Sequence, residues 1–400
     1  MNALRTRLRP IVIPTLAIVA AFVVGSIFLV LTDIDHMKSL ASDPVGAIAG
    51  SLGAVGHAYM ALIIGAFGDP AKFAIALNGG TDKQWATAIR PLTETLIAAT
   101  PLIFTGLAVA VSFRSGVFNI GMDGQFILGA LFATIAAIAL KGAPMPIILL
   151  VALVAGMLAG GVWGFIPGFL KARTGAHEVI TTIMLNYVAS QVVLFSLRLE
   201  FLRQSNSTQP ISKVIKDFVQ VPMMLPLPGL RLHWGFVVAL LAAVVVSWLL
   251  FRTTRGFELR SAGLNLTAAR YAGMSAGGSI ILAMVVSGFL AGLGGAFQVL
   301  GTVGQMSNDV NAGFGWNAIA LGLLGGLRPA GVVAAALLFG ALRNGGGLMQ
   351  VETSIPLDLL VFLQALVIMF VAAPGLVRTI YRLRQPAPEG GAPVEEGAAA

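Results

Sequence analysis

The stretch 279–301, SIILAMVVSGFLAGLGGAFQVLG, contains no charged side chain in 23 residues. A hydrocarbon layer about 30 Å thick is crossed by about 20 mostly apolar residues in an α-helix. The stretch is therefore predicted to be a transmembrane helix. Its small residues recur at helical spacing, which predicts a surface for close helix packing rather than a ligand site. These residues are Gly288, Ala291, Gly292 and Gly295.

The composition of the whole chain has the same character. Of its 400 residues, 57% are hydrophobic and only 10% are charged, whereas soluble domains carry about 25% charged residues. This excludes an ordinary soluble enzyme, a disordered protein and a nucleic-acid-binding protein, and it predicts an all-α polytopic membrane protein. The net charge of +8 is explained by basic residues in cytoplasmic loops. The absence of cysteine excludes disulfides, Fe–S clusters and cysteine-ligated zinc.

Further apolar runs predict about ten transmembrane helices, with a possible broken or re-entrant helix. Residues 11–31 form the first one, because the run is too long for a cleaved signal peptide and no clean cleavage site follows it. The glycine-rich run 45–67 is predicted to lie at the membrane surface, although it could also span or re-enter. The short run 315–327 suggests a broken helix. The other predicted spans are 89–112, 122–140, 146–170, 177–198, 233–251, 329–348 and 355–373, besides 279–301.

The distribution of charge predicts the orientation of these helices. The basic segments 171–173, 252–260 and 378–384 all fall on the cytoplasmic side when crossings alternate from a cytoplasmic N-terminus. Arg114 falls on the same side, and the loop 199–232 falls outside. The predicted transmembrane domain is 1–375. It comprises the first helix 11–31, an extracytoplasmic insertion 32–88 and a core 89–375, and a disordered cytoplasmic tail, 376–400, follows it.

Several kinds of chemistry lack their motifs in this chain. No G-x-x-x-x-G-K-[ST] phosphate loop is present, so the chain is not expected to hydrolyse ATP. His177-Glu178 lacks the second histidine of a zinc protease motif. No serine, histidine and aspartate set suggests an intramembrane protease. We therefore predict no catalytic residues and no metal site, and an intramembrane enzyme is the weaker class.

The segment 252–273, RTTRGFELRSAGLNLTAARYAG, is the most informative polar stretch. Asn265 is a good N-cap and Gly273 a good residue for the position after a helix end, which predicts a helix of about two turns between them. Small side chains at Ala268 and Ala269 would allow close approach to another surface. Arg270 and Tyr271 would add a charged and an aromatic contact. The pattern suggests docking into a cleft of a partner, and the alternative is an interfacial helix without one.

The same segment resembles the coupling helix of ABC importer permeases, which has the pattern E-A-A-x-x-x-G. The stretch 267–273, TAARYAG, matches it except that Thr267 replaces glutamate. Three other stretches are similar to the branched-chain amino acid and ribose type of permease, and most to its nucleoside or simple-sugar subgroup. They are ATPLIFTGLAVA (99–110) with FRSGVFNIGMDGQF (113–126), HEVITTIMLNY (177–187) and GWNAIALGLLGG (315–326). The resemblance covers roughly residues 88–375, and Met122-Asp123 stands where Ala-Glu is common.

The resemblance implies a permease subunit of an ATP-driven importer of nucleosides or simple sugars in the bacterial inner membrane, with both termini cytoplasmic. A second, homologous permease subunit would complete the path, and an extracytoplasmic substrate-binding protein would deliver the solute. A separate ABC ATPase subunit would bind ATP and Mg, so that this chain itself needs no cofactor. The residues 265–273 would dock on that ATPase through Asn265, Thr267, Ala268, Ala269, Arg270, Tyr271 and Gly273.

Polar residues in or beside the spans are candidates for the translocation path, because polar groups at membrane depth usually face the bundle or a cavity. Asn119, Asp123 and Gln125 could form a gate at a bent chain, or lie in a conventional cytoplasmic loop in which Asp123 caps the next helix. A polar stripe in the 177–198 span could face the path or hold helices together by hydrogen bonds. Its members are Asn186, Tyr187, Ser190 and Gln191.

Two further path candidates, Trp316 and Asn317, open the short run 315–327. An aromatic ring beside an amide suits a sugar or a base, and the alternative is a tryptophan of the interfacial belt. Two rival functions remain for the chain as a whole. An ion-coupled secondary transporter would need charged residues deep in several spans, and the sequence shows few of them. A structural membrane scaffold is the third class.

Overall fold

The computed structural model describes residues 2–32, 38, 43–205, 207–353, 355 and 357–382. The described chain is helical, and its β-structure is limited to isolated bridges, which confirms the all-α prediction. The helices are α1 (Asn2–Thr32), α2 (Pro44–Phe67), α3 (Pro70–Leu77), α4 (Asp82–Arg114), α5 (Met122–Ala139), α6 (Met145–Thr174), α7 (Glu178–Ser196), α8 (Gly235–Arg252), α9 (Thr254–Leu264), α10 (Leu266–Tyr271), α11 (Ala276–Phe297), α12 (Phe314–Leu324), α13 (Pro329–Thr353), α14 (Leu357–Ala372) and α15 (Pro374–Ile380). Helix α11 continues into a π-helical turn, Gln298–Val303, and a 3-10 turn, Asn308–Asn311, precedes α12.

Nine helical segments of the described chain are long and apolar enough to cross a membrane. Two shorter apolar helices, Phe314–Leu324 and Asp358–Val371, add to them, so that the prediction of about ten spans agrees with the structure. Helix α12 has 11 residues, or about 16 Å at 1.5 Å per residue. It is therefore too short to cross alone, as the sequence suggested for 315–327.

The chain divides into two compact units. The smaller unit comprises residues 1–52 and 361–400, and in it the rings of Phe28 and Phe362 pack edge to face with centroids 4.5 Å apart. Helix α15, Pro374–Ile380, includes the first residues of the predicted tail 376–400 in a helix. Residues 383–400 of that tail lie outside the described residues, and its disorder stays a prediction.

The larger unit, residues 53–360, holds the packing surface predicted from the glycines of α11. A Cβ atom built on Gly160 of α6 would lie 2.7 Å from the Cα of Gly292, and one on Gly156 would lie 2.7 Å from the carbonyl oxygen of Gly129 on α5. Real Cβ atoms essentially never come under 3.0 Å, so side chains at these positions would force the three helices apart. The prediction of close helix packing is confirmed.

Replacing Gly160 by alanine is expected to destabilise the protein, because the added methyl group has no room against Gly292. Overpacking of this kind lowers the free energy of unfolding by about 1–3 kcal/mol. The matched control is Gly347→Ala in α13, where a Cβ meets nothing within 4 Å. The thermal unfolding midpoint of the purified protein in detergent should fall for Gly160→Ala and stay unchanged or rise for Gly347→Ala. Equal midpoints for the two variants would contradict the packing argument.

Contacts at the two ends of the bundle join segments that were predicted to lie on the same side of the membrane. Arg114, at the end of α4, donates a hydrogen bond of 2.6 Å to the carbonyl oxygen of Leu327, and its guanidinium lies 5.0 Å from the ring centroid of Phe251. At the opposite end of the bundle, the backbone N–H of Ser212 donates to the carbonyl oxygen of Met306 at 2.9 Å. Segments predicted to share a side therefore do so, although which side faces the cytoplasm stays a prediction.

The segment 45–67, predicted to lie at the membrane surface, forms helix α2. Its 24 residues are long enough to cross a membrane. In the larger unit its last turns pack on α13 and α4: Gly65 lies against Gly345, His57 lies 4.0 Å from Glu352, and the Ala66 carbonyl oxygen accepts a 2.8 Å hydrogen bond from the Thr95 hydroxyl. The helix belongs to one of the nine segments counted above as long and apolar enough to cross a membrane, and its position at the membrane surface stays a prediction.

Candidate functional site

A segment of irregular backbone interrupts the bundle between α4 and α5. Helix α4 ends at Arg114, and residues 115–121 are not helical. Val117 in this segment is buried and packs against Met284 of α11. The structure therefore has the bent chain, inserted among helices, rather than a conventional loop on the surface. Irregular backbone at membrane depth is tolerated only where protein or a cavity surrounds it.

The depth of the break follows from Asn119. This residue is fully buried, and its side-chain amide donates a 2.8 Å hydrogen bond to the hydroxyl of Ser287, the twelfth of the 22 residues of α11. Helix α5 therefore begins about half-way along its neighbour. The same amide donates to Gln125 at 3.1 Å, and its oxygen accepts the N–H of Gly121 at 2.9 Å. Asn119 and Gln125 thus use their hydrogen-bonding groups inside the protein.

Asn186 of α7 completes the hydrogen bonding of the break. Its side-chain oxygen accepts the N–H of Gly124 at 2.9 Å, and its side-chain nitrogen donates to the carbonyl oxygen of Ile120 at 3.0 Å. The first N–H groups of a helix have no partner within the helix. Asn186, which is buried, therefore caps α5 from a neighbouring helix.

Asp123 lies where two helices begin. It is in the first turn of α5, and its carboxylate accepts a 2.9 Å hydrogen bond from Asn311, in the 3-10 turn before α12. Gly315, in the first turn of α12, approaches the Asp123 backbone so closely that a Cβ would lie 2.6 Å from its nitrogen. Negative charge at helix N-termini is favourable. The carboxylate therefore stabilises the meeting of two helix N-termini.

The remaining path candidates face outward. Tyr187, Gln191 and Trp316 are exposed, and Asn317 is half-buried. Ser190 instead donates a 2.9 Å hydrogen bond to Asn308. The polar stripe predicted on α7 is therefore divided between an inner face, where Asn186 and Ser190 hold the protein together, and an outer face of Tyr187 and Gln191. The residues Asn119, Asp123, Gln125 and Asn186 form one cluster, whereas Tyr187, Gln191 and Trp316 do not join it.

The loop after α8 has the local structure expected from its caps. The Asn265 side chain accepts the N–H of Ala268 at 3.0 Å and begins α10. Gly273 has φ +81°, its N–H donates to the Arg270 carbonyl oxygen at 2.9 Å, and the Met274 N–H donates to that of Ala269 at 3.0 Å. These two bonds form a Schellman motif. Both predicted caps are confirmed.

Helix α10 is anchored on one side and open on the other. Leu266 packs against the cluster of Val117, Ile280 and Met284, and Ala269 is buried. The outward face carries exposed side chains, and Tyr271 is 90% exposed. Its other members are Thr267, Ala268 and Arg270. A short rigid helix thus presents an aromatic ring, a guanidinium and small side chains to the surroundings.

The larger unit contains a polar cavity that the sequence patterns did not predict. The cavity has a volume of about 290 Å³, and Glu94 of α4 and Arg343 of α13 are among its lining residues. Glu94 accepts two hydrogen bonds, of 3.0 and 2.6 Å, from Arg231, and this pairing raises the pKa of Arg231. Glu94 and Arg343 both fall inside spans predicted from sequence. A charged residue within an apolar run was therefore the sequence feature that could have indicated this cavity.

His233, between the outer loop and α8, is a buried polar residue that the sequence did not single out. Its Nδ1 atom accepts the N–H of Gly235 at 3.1 Å, so the proton of the neutral ring is assigned to Nε2, 3.3 Å from the hydroxyl of Thr302. Burial lowers the pKa of His233 from 6.5 to about 4. The folded protein therefore holds this ring neutral.

Acid is expected to destabilise the protein through His233. Because its folded pKa is below its unfolded value, the full stability is present above about pH 6.5 and is lost as the pH falls toward 4, by about 3 kcal/mol in all. His233→Asn keeps an acceptor for Gly235 and removes the titration. The unfolding midpoint between pH 7.5 and 4.5 should fall less in this variant than in the wild type. A slope for His233→Asn equal to that of the wild type would contradict the assignment.

The long apolar helices, the break between α4 and α5 at mid-bundle and the polar groups around that break define a polytopic membrane protein. A family model described as "Branched-chain amino acid transport system / permease component" matches residues 92–372. The chain belongs to this family. The match confirms the resemblance expected for residues 88–375.

Characterised relatives share most of the chain. The "Guanosine ABC transporter permease protein NupP" of Bacillus subtilis is 40% identical over 289 residues, which are 72% of this chain and 82% of that protein. The "Nucleoside ABC transporter permease protein NupB" of Lactococcus lactis is 35% identical, over 73% of this chain and 81% of the relative. The "Glucose ABC transporter permease protein TsgB13" of Haloferax volcanii is 34% identical, over 70% and 75%. No solved structure matches significantly.

Proposed function

We propose that this chain is the membrane-spanning subunit of an ATP-binding cassette importer for nucleosides or simple sugars. The family and the names of the relatives support this class of transporter and this class of solute. The single observation that carries the proposal is helix α10, which is capped at both ends, anchored by Leu266 and Ala269, and open on its outward face. Such a helix can transmit the movement of a partner to the bundle without itself deforming.

The proposed function requires partner subunits. Since this chain has no phosphate loop, a cytoplasmic ABC ATPase subunit would bind ATP and Mg, and it would bind this chain at α10. A second, homologous permease subunit would complete the path, and an extracytoplasmic binding protein would deliver the solute. The chain would lie in the bacterial inner membrane with both termini in the cytoplasm. The basic residues on the side of α9 and α10 support that orientation.

One part of the path is proposed to run along the outer face of α7 and α12. Tyr187, Gln191 and Trp316 are exposed there, and aromatic and amide groups suit a sugar or a base. Asp123 and Asn311 lie at the junction of α5 and α12, where a relative movement of the two helices would open or close the route. Asn119, Gln125 and Asn186 would support that junction from within, and Asn317 would lie at its edge.

Co-purification and uptake together test the proposal. The chain, expressed with its candidate ATPase and second permease, should be isolated with the ATPase in stoichiometric amount. In liposomes, uptake of nucleosides or simple sugars should require the binding protein and ATP in the compartment that represents the cytoplasm. A stable chain that binds no ATPase would contradict the proposal.

The alternative is an ion-coupled transporter, and the charged residues Glu94, Asp123 and Arg343 within spans are the observation in its favour. Glu94 is already paired with Arg231, and Asp123 accepts a hydrogen bond from Asn311, so both carboxylates have structural partners. The same liposomes separate the two mechanisms. Uptake that persists without ATP and collapses when an ionophore removes the ion gradient would establish the alternative.

A further inference from the structure

The cavity of about 290 Å³ lies between α4, the π-helical turn after α11, α12 and α13. Small-molecule pockets have volumes of about 300–1,000 Å³, so this one suits a solute of the size of a monosaccharide or a nucleoside. Its walls combine polar groups with the buried ring of Phe314. The lining residues are Glu94, Ile97, Ala98, Gln298, Thr302, Phe314, Arg343 and Asn344.

Gln298 is the residue of this cavity that needs an explanation. It is only 8% exposed, yet within the described part of the chain its side-chain amide has no hydrogen-bond partner. The fully buried unpaired polar atoms of the described side chains are Trp163 Nε1 and Arg260 Nε, so the Gln298 amide is instead reached from the cavity that it lines and is free to bind a water or a ligand there. Gln298 also begins the π-helical turn Gln298–Val303, and such turns occur frequently at functional sites.

The other polar groups of the cavity differ in what they can still bind. Asn344 donates to the carbonyl oxygens of Gly65 and Pro91, both at 2.8 Å, and Glu94 is held by Arg231. Both are therefore occupied by the protein. Arg343 donates one hydrogen bond, of 3.1 Å, to the Ala312 carbonyl oxygen. No carboxylate within the described ranges lies within 4 Å of its guanidinium, so most of its donors remain available.

The guanidinium of Arg343 is oriented by its contact with the ring of Phe314. Its guanidinium lies 4.6 Å from the ring centroid of Phe314, and Phe314 is in turn buried against Phe126 with centroids 5.7 Å apart. A planar guanidinium held on a ring presents its N–H groups as a fork. Such a fork pairs with two adjacent acceptors, as arginine does with the O6 and N7 atoms of guanine.

We propose that this cavity binds the base of a purine nucleoside that carries a carbonyl group at C6. Arg343 donates to the carbonyl oxygen and the neighbouring ring nitrogen, and the Gln298 amide pairs with the ring N–H beside that carbonyl. The inference rests on the proposed function, because it assigns a residue-level site to the transported solute. It goes further in giving the permease a selectivity of its own, in addition to that of a binding protein.

The first test compares solutes on the wild-type complex in nanodiscs, assembled with its ATPase and second permease. Inosine and adenosine have the same ribose and differ at C6, where inosine has a carbonyl and adenosine an amino group. Inosine should bind about tenfold or more tightly than adenosine or glucose, since the amino group cannot accept from Arg343. Equal affinity for inosine and adenosine, or tighter binding of inosine monophosphate than of inosine, would overturn the proposal.

The second test uses variants. Gln298→Leu and Arg343→Lys should each weaken inosine binding about tenfold or more, whereas Gln350→Leu, at an exposed position of the same helix as Arg343, should not. Unchanged inosine affinity in Gln298→Leu or Arg343→Lys would overturn the site while leaving the importer function intact. If a variant fails to assemble with the ATPase, the wild-type comparison of solutes decides alone. A wild-type complex that transports no nucleoside or sugar would instead contradict the proposed function.

Discussion

The double substitution Arg270→Glu and Tyr271→Ala is expected to abolish ATP-driven uptake while leaving the chain folded. Both side chains are exposed at the end of α10, so their replacement leaves no cavity. Buried tyrosine and arginine residues at interface centres each contribute roughly 2 kcal/mol or more to binding. Two of them correspond to an ATPase affinity lower by about a thousandfold.

The measurement pairs solute-stimulated ATP hydrolysis with uptake in liposomes that contain all subunits. Arg198→Glu makes the same change of charge at an exposed position outside α10 and should leave both activities unchanged. The thermal unfolding midpoint of the isolated chain should be the same for the double variant and the wild type, because α10 keeps its caps at Asn265 and Gly273. Intact hydrolysis and uptake in the double variant would show that the coupling role is wrong.

Most of the fold was accessible from sequence because membrane helices have one dominant requirement. Every backbone polar group in lipid must be satisfied within the segment, so an apolar run such as 279–301 has few alternatives to a helix. The caps of α10 were equally accessible, since Asn265 and Gly273 act through atoms of their own turn. The break between α4 and α5 could be predicted from sequence only in part. The glycines around Asn119 allowed a bent chain, but its depth depends on contacts with α7 and α11.

The candidate site was less predictable because its partners are distant in sequence. Asn186 pairs with residues more than 60 positions away, and helical spacing could show only that it lies one turn from Ser190. Gln298 and Arg343 were missed because a glutamine at the end of an apolar run and one arginine in another are compatible with interfacial positions. Only the fold shows that both line one cavity, and that Gln298 has no partner there among the described residues.

Replacing Asn186 by leucine is expected to destabilise the junction of α5 with its neighbours. The substitution keeps the approximate volume but leaves the Gly124 N–H and the Ile120 carbonyl oxygen without their partner. A buried polar group that loses its partner costs about 1–3 kcal/mol, so the two together should lower the free energy of unfolding by roughly 2 kcal/mol or more. The thermal midpoint in detergent measures the effect, and Asn78→Leu, at an exposed turn, is the matched control.

This experiment also separates the two roles predicted for Asn186. A residue that contacts the solute in the path would lose uptake when replaced but would leave the midpoint unchanged. A residue that caps α5 should affect both, since the Gly124 N–H in the first turn of the helix would lose its partner. Because both of its side-chain polar atoms are engaged by backbone groups, we expect the midpoint to fall together with uptake. A normal midpoint with lost uptake would instead place Asn186 in the path and contradict the capping role.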